Sequence, residues 1–139
     1  MAAIQESILG MLHTVQRSTT FAAHMGQQRE LGQEATRKNI KATEEEITNI
    51  QTRRAQAEAE GKAAEQDLIE SYEYAESDPS RAAEMQFGVK DEYGETVVPG
   101  AFDREAAARK AIAKEDVALK EAETRLKKQY KKLRRYGGR

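Results

Sequence analysis

The chain has 139 residues, 34% of them charged, with no cysteine, no tryptophan, three phenylalanines and two prolines. So few large apolar side chains cannot build a thick globular core, and the absence of cysteine excludes disulfides and thiolate chemistry. A formal net charge of −1 hides an uneven spread: Arg125 to Arg139 holds eight basic residues and no acid, so residues 1–123 carry fifteen bases against twenty-four acids.

The first predicted element is an amphipathic helix over residues 1–28, where the only charged side chains are Glu6 and Arg17. At 100° per residue, Ile4, Ile8, Met11, Val15 and Ala22 fall within about 60° of arc, with Leu12 beside them. Phe21 and Met25 broaden the apolar surface. Charge depletion of this kind resembles an interface core more than a monomer surface. Ile4, Ile8, Met11, Leu12, Val15, Phe21 and Met25 are therefore the candidate assembly interface. Two arrangements satisfy it: a third helix folded back on the rest of the chain, or burial against another molecule. Lipid-surface helices carry Lys and Arg on their polar face, which disfavours membrane insertion here.

Gly26 and Gly32 bracket a glutamine-rich stretch. Each costs about 1 kcal/mol relative to alanine in a helix, so this segment reads as a joint, or as a weak spot in one long helix.

Residues 29–139 read as a helical hairpin. Its first arm spans 34–76, and alternating steps of three and four from Ile40 trace a heptad-like seam through Ile47, Ile50, Ala57, Gly61, Ala64 and Leu68. The small residues in its middle allow a partner helix close approach, while Arg54 at a seam position interrupts the pattern. Asp78-Pro79 then supplies an N-cap and a first-turn proline for a short helix. Residues 77–102 form a tip insert. Its β-branched and glycine residues around Glu92-Tyr93-Gly94 predict a small hairpin or ordered loop. Two readings of Phe87, Tyr93, Val97, Val98 and Phe102 stand side by side: a mini-core capping the arms, or an exposed recognition patch.

The second arm spans 103–136, with Asp103 as the expected N-cap and a seam through Ile112, Leu119, Leu126 and Leu133. Glu115 and Gln129 weaken that seam. The arms match in length, about 54 Å and about 50 Å at 1.5 Å per residue. The expected fold is all-α: a long antiparallel helical hairpin, coiled-coil-like, with an N-terminal amphipathic helix and a small β-hairpin or irregular tip.

On a helical wheel Leu126, Tyr130 and Leu133 share one face of the second arm. Arg125, Lys127, Lys128, Lys131, Lys132, Arg134 and Arg135 cover the other. They form a candidate patch for an anionic partner: an acidic protein surface, or less favourably nucleic acid or a membrane. The competing reading is a solvated outer face partly paired with Glu44, Glu45 and Glu46.

No catalytic, cofactor-binding or metal-binding residues are expected. His13 and His24 would lie about 16 Å apart along a helix, too far to share one ion. The carboxylates are diffuse and no glycine loop suits a phosphate, so an enzyme has no support. The lack of a cleavable signal pattern or an apolar span predicts a cytoplasmic protein, or one exported without a cleaved signal peptide.

The expected function is that of a non-enzymatic structural protein working by helix-mediated self-association or incorporation into a larger complex. Its expected shape resembles small helical subunits of secretion filaments and of virions, at the level of the fold alone. Two alternatives stand beside it: an export chaperone or adaptor holding a partner's helix, and a binder of anionic surfaces acting through the basic helix.

Overall fold

The computed structural model describes the backbone of residues 2–137 and the side chains of residues 23–137. The elements in chain order are α1 (Ala2–Tyr74), α2 (Pro79–Phe87), β1 (Gly88–Lys90), β2 (Thr96–Pro99) and α3 (Ala101–Arg135). The long helices α1 and α3 are packed together as an antiparallel pair, and the two strands form a small antiparallel hairpin at its tip.

The glycine-bracketed stretch does not interrupt the helix. α1 runs through Gly26 and Gly32 without a break, because helical residues on both sides carry the propagation and two glycines alone do not stop it. The reading of residues 1–28 as a helix folded back on the arms is therefore overturned. The helix is continuous from Ala2 to Tyr74, leaving no turn at Gly26 or Gly32 in which to reverse.

α1 ends at Tyr74, two residues before the predicted end. The Asp78 amide donates to the Tyr74 carbonyl at 2.8 Å, and the Asp78 carboxylate then accepts from the Arg81 amide at 3.1 Å to cap α2. Pro79 occupies the first turn, where its missing N–H is no loss. Gly88 closes α2 with φ at 82°, a left-handed conformation that suits glycine, and its amide donates to the Glu84 carbonyl.

The hairpin turn is organised by Asp91. Its carboxylate accepts from the amides of Tyr93 (2.9 Å) and Glu95 (2.8 Å), and Gly94 takes φ at 78°. Val89 pairs with Val98, and the register slips between Val89 and Lys90. α3 begins two residues before the expected cap. The Gly100 carbonyl accepts from the Arg104 amide at 3.0 Å, which places Asp103 in the first turn, where its charge suits the positive end of the helix.

The chain divides into two compact units: Met1–Thr43 with Arg125–Arg139, and Glu44–Thr124. In the first, Thr36, Ile40 and Thr43 on α1 and Leu133 on α3 are buried. The threonine hydroxyls donate to carbonyls one turn back, Thr36 to Gly32 at 2.6 Å and Thr43 to Asn39 at 2.9 Å, so their burial leaves no orphaned donor. The Tyr136 ring lies where a side chain on residue 32 would stand, 2.8 Å from a Cβ placed there. Gln33 Nε2 donates to the Tyr136 carbonyl.

In the second unit the buried residues are Ile50, Ala57, Ala64, Leu68 and Ser71 on α1, Ala82 on α2, and Ala101, Ala108 and Ala122 on α3. This is a thin seam of mostly small side chains. A Cβ on Gly61 would stand 3.2 Å from that of Ala108, so the two helices approach closely there. Ser71, fully buried, donates to the Leu68 carbonyl and accepts from the Gln86 side chain, tying α2 to α1.

Candidate docking surfaces

The seam residues lie as follows. Ile40, Ile50, Ala57, Ala64, Leu68 and Leu133 are buried, and Ile47, Gly61, Ile112, Leu119 and Leu126 are half-buried. Arg54 is accommodated rather than excluded: its stem leaves the seam and its guanidinium donates to Asp116 at 2.6 Å and also to Glu58. The bond to Asp116, followed by the nearby charges of Asp116 and Glu58, holds the Arg54 guanidinium above its ordinary pKa. Arg53 pairs with Glu115 at 3.0 Å, and Arg104 with Asp67. These three arginine pairs bridge α1 and α3 within the second unit.

Two seam positions carry a polar deficit. Among the described residues, Glu115 Oε2 and Gln129 Oε1 are buried without a hydrogen-bond partner. Each is an acceptor taken out of water at a real cost in stability.

The seven basic residues from Arg125 to Arg135 are all exposed. Lys128, Lys131, Lys132 and Arg135 recur at helical spacing and, with Tyr136, line a surface depression of about 530 Å³. The spacing made a basic face legible in the sequence. Tyr136, which lines the depression, packs at Gly32, and a sequence signal for that contact existed: stepping back from Ile40 at helical intervals reaches Thr36 and then the Gly32–Gln33 pair.

At the tip, the mini-core reading fails. Phe87 is 61% exposed, Tyr93 88%, Val97 63% and Val98 52%. The Phe87 and Phe102 rings touch each other at 5.6 Å between centroids, yet Phe102 also remains exposed. From Pro79 to Phe102 the buried residues are instead small ones, Ala82, Gly100 and Ala101. Bulky side chains exposed on a two-stranded sheet leave an apolar surface in water.

In the N-terminal stretch of α1, every described residue from 23 to 31 is exposed, including Met25 and Leu31. The other interface candidates, Ile4, Ile8, Met11, Leu12, Val15 and Phe21, lie in α1, with side chains outside the described residues. His24 is exposed and accepts from Gln28 at 3.1 Å, while the His13 side chain lies outside the described residues.

Among the described residues, no helix is long and apolar enough to cross a membrane, and no cluster of three or more histidine, aspartate or glutamate side chains could hold a metal ion. No protein-family model, no curated protein and no solved structure matches the chain.

Proposed function

We propose that this protein is a non-enzymatic building block that self-associates, or joins a larger assembly, through the N-terminal stretch of α1. One observation carries the reading. α1 continues N-terminally past Gly32, where Tyr136 packs, as far as Ala2, and its described residues 23–31 are all exposed. A helix with only two charged residues in its first 28 gains most of its stability from packing of its apolar face. Burial of Ile4, Ile8, Met11, Leu12, Val15 and Phe21 against another molecule supplies that packing.

A cytoplasmic setting suits such a building block. Assemblies of repeated helical subunits, such as secretion filaments and virions, are the context such a device suits.

The test is absolute mass by light scattering across protein concentration, on the full chain and on a full-length Ile8→Glu, Val15→Glu variant. Glutamate retains helix propensity while placing charge on the apolar stripe. A wild-type oligomer at about 0.5 M salt, where exposed charges are screened, that becomes monomeric in the variant supports the reading. An oligomer of unchanged mass in the variant removes the N-terminal stripe as its interface.

A further inference from the structure

The two compact units carry opposite charges of nearly equal size. Met1–Thr43 with Arg125–Arg139 holds thirteen Lys and Arg against three acids, and Glu44–Thr124 holds ten against twenty-one. The first is therefore at +10 and the second at −11. Within each unit the charge is concentrated further. Residues 125–139 contain eight bases and no acid, while residues 65–95 contain ten acids and only Arg81 and Lys90 as bases. Arg81 lies over the Tyr74 ring, 4.2 Å from its centroid.

Much of this charge faces water. On the basic side, Lys128, Lys131, Lys132 and Arg135 line the depression beside Tyr136. On the acidic side, Glu65, Glu73 and Glu76 near the end of α1, Glu84 on α2, and Glu92 and Glu95 at the hairpin turn are all exposed. The same unit exposes Phe87, Val97 and Val98, so it offers apolar surface as well as charge, the two ingredients of an interface core and its rim.

We infer that the basic face of α3 in one molecule docks on the acidic α2 and hairpin region of a second copy of the chain. The inference rests on the self-association proposed above and names its second contact. Charge complementarity selects this occupant. Pairing between copies neutralises a +10 surface with a −11 surface, and long-range attraction steers the encounter. A nucleic acid or an anionic membrane would neutralise the basic unit alone and would meet repulsion from the −11 carried by the same chain.

The test uses the full chain, with mass followed by light scattering from about 0.02 M to about 0.5 M salt, over which the screening length falls several-fold. Three variants accompany it. One reverses the basic face (Lys128→Glu, Lys131→Glu, Lys132→Glu, Arg135→Glu). A second reverses the acidic region (Glu73→Lys, Glu76→Lys, Glu84→Lys, Glu92→Lys). The third combines both sets, and circular dichroism establishes that each retains its helix. The expected result is a charge contact that weakens at least tenfold as salt rises. The low-salt assembly then shrinks, at high salt or in each single reversal, to the species held by the N-terminal stripe alone. The contact returns in the combined reversal, where the complementarity is restored with opposite sign. Association unchanged by salt and by either reversal overturns the charge pairing while leaving the N-terminal contact standing. A wild-type chain monomeric throughout overturns both. A monomeric chain that binds a single-stranded oligonucleotide or phosphatidylserine vesicles through the basic face overturns the pairing in favour of that ligand.

Discussion

Gly26 and Gly32 lie less than two turns apart on α1, yet they do different things. Nothing stands within 4 Å of a Cβ on Gly26, whereas a Cβ on Gly32 would press on the Tyr136 ring at 2.8 Å. Gly26→Ala therefore collects the helix-propensity gain of about 1 kcal/mol with no steric penalty. Amide hydrogens of neighbouring residues should exchange roughly fivefold more slowly. Gly32→Ala must displace Tyr136, and the last turn of α3 should exchange faster in that variant; equal protection of that turn would show that the ring does not depend on the glycine. Gln129 offers a gain of another kind. Its Oε1 is buried without a partner among the described residues, so Gln129→Leu exchanges an orphaned acceptor for apolar packing and should raise stability by about 1 kcal/mol in urea unfolding. A loss of stability there would mean that the amide is satisfied in solution.

At the scale of the element, the pairing of α1 with α3 rests on apolar burial much more than on the charges that line it. Ile50 is 1% exposed, and its truncation to alanine should cost about 2–4 kcal/mol through lost contacts and the cavity left behind. Arg54→Gln and Arg104→Gln remove pairs whose members remain about a third to a half exposed, and each should cost less than about 1 kcal/mol. Chemical denaturation of the three variants decides the ranking. Should either arginine variant match Ile50→Ala, the seam would be electrostatic. The same physics explains what the sequence made legible. Buried positions on a helix recur at 3.6 residues, so counting from Ile40 reaches Ile50, Ala57, Ala64 and Leu68, all buried. Asp78-Pro79 and Asp91 to Gly94 announced their cap and turn through local chemistry alone. The exposure of Phe87 and Val97 was not legible, because apolar content says nothing of which face a short strand presents. Nor was the continuity of α1 through Gly26 and Gly32, since propensity marks weak points without showing whether the chain bends at them.

At the scale of the whole molecule, each copy offers one basic unit and one acidic unit, so two copies can exchange two contacts or each can engage a different neighbour. The first choice closes a pair related by a two-fold axis, and the second builds an open chain. Once one contact has formed, the second within a closed pair is intramolecular, with an effective concentration in the millimolar range. At micromolar protein that advantage favours the closed pair over recruitment of a third molecule. Low-salt mass should therefore rise with concentration to a plateau at twice the 15.6 kDa of the chain in the Ile8→Glu, Val15→Glu background, where the N-terminal stripe is disabled. Mass that keeps climbing without a plateau in that background would show that the two contacts cannot close on the same partner. The N-terminal contact proposed for the wild-type chain is apolar, and salt does not screen it. Growth beyond the pair should thus appear only with that stripe intact and should persist at about 0.5 M salt. The mass profile across salt then separates the charge contact, which salt dissolves, from the helix contact, which it leaves in place.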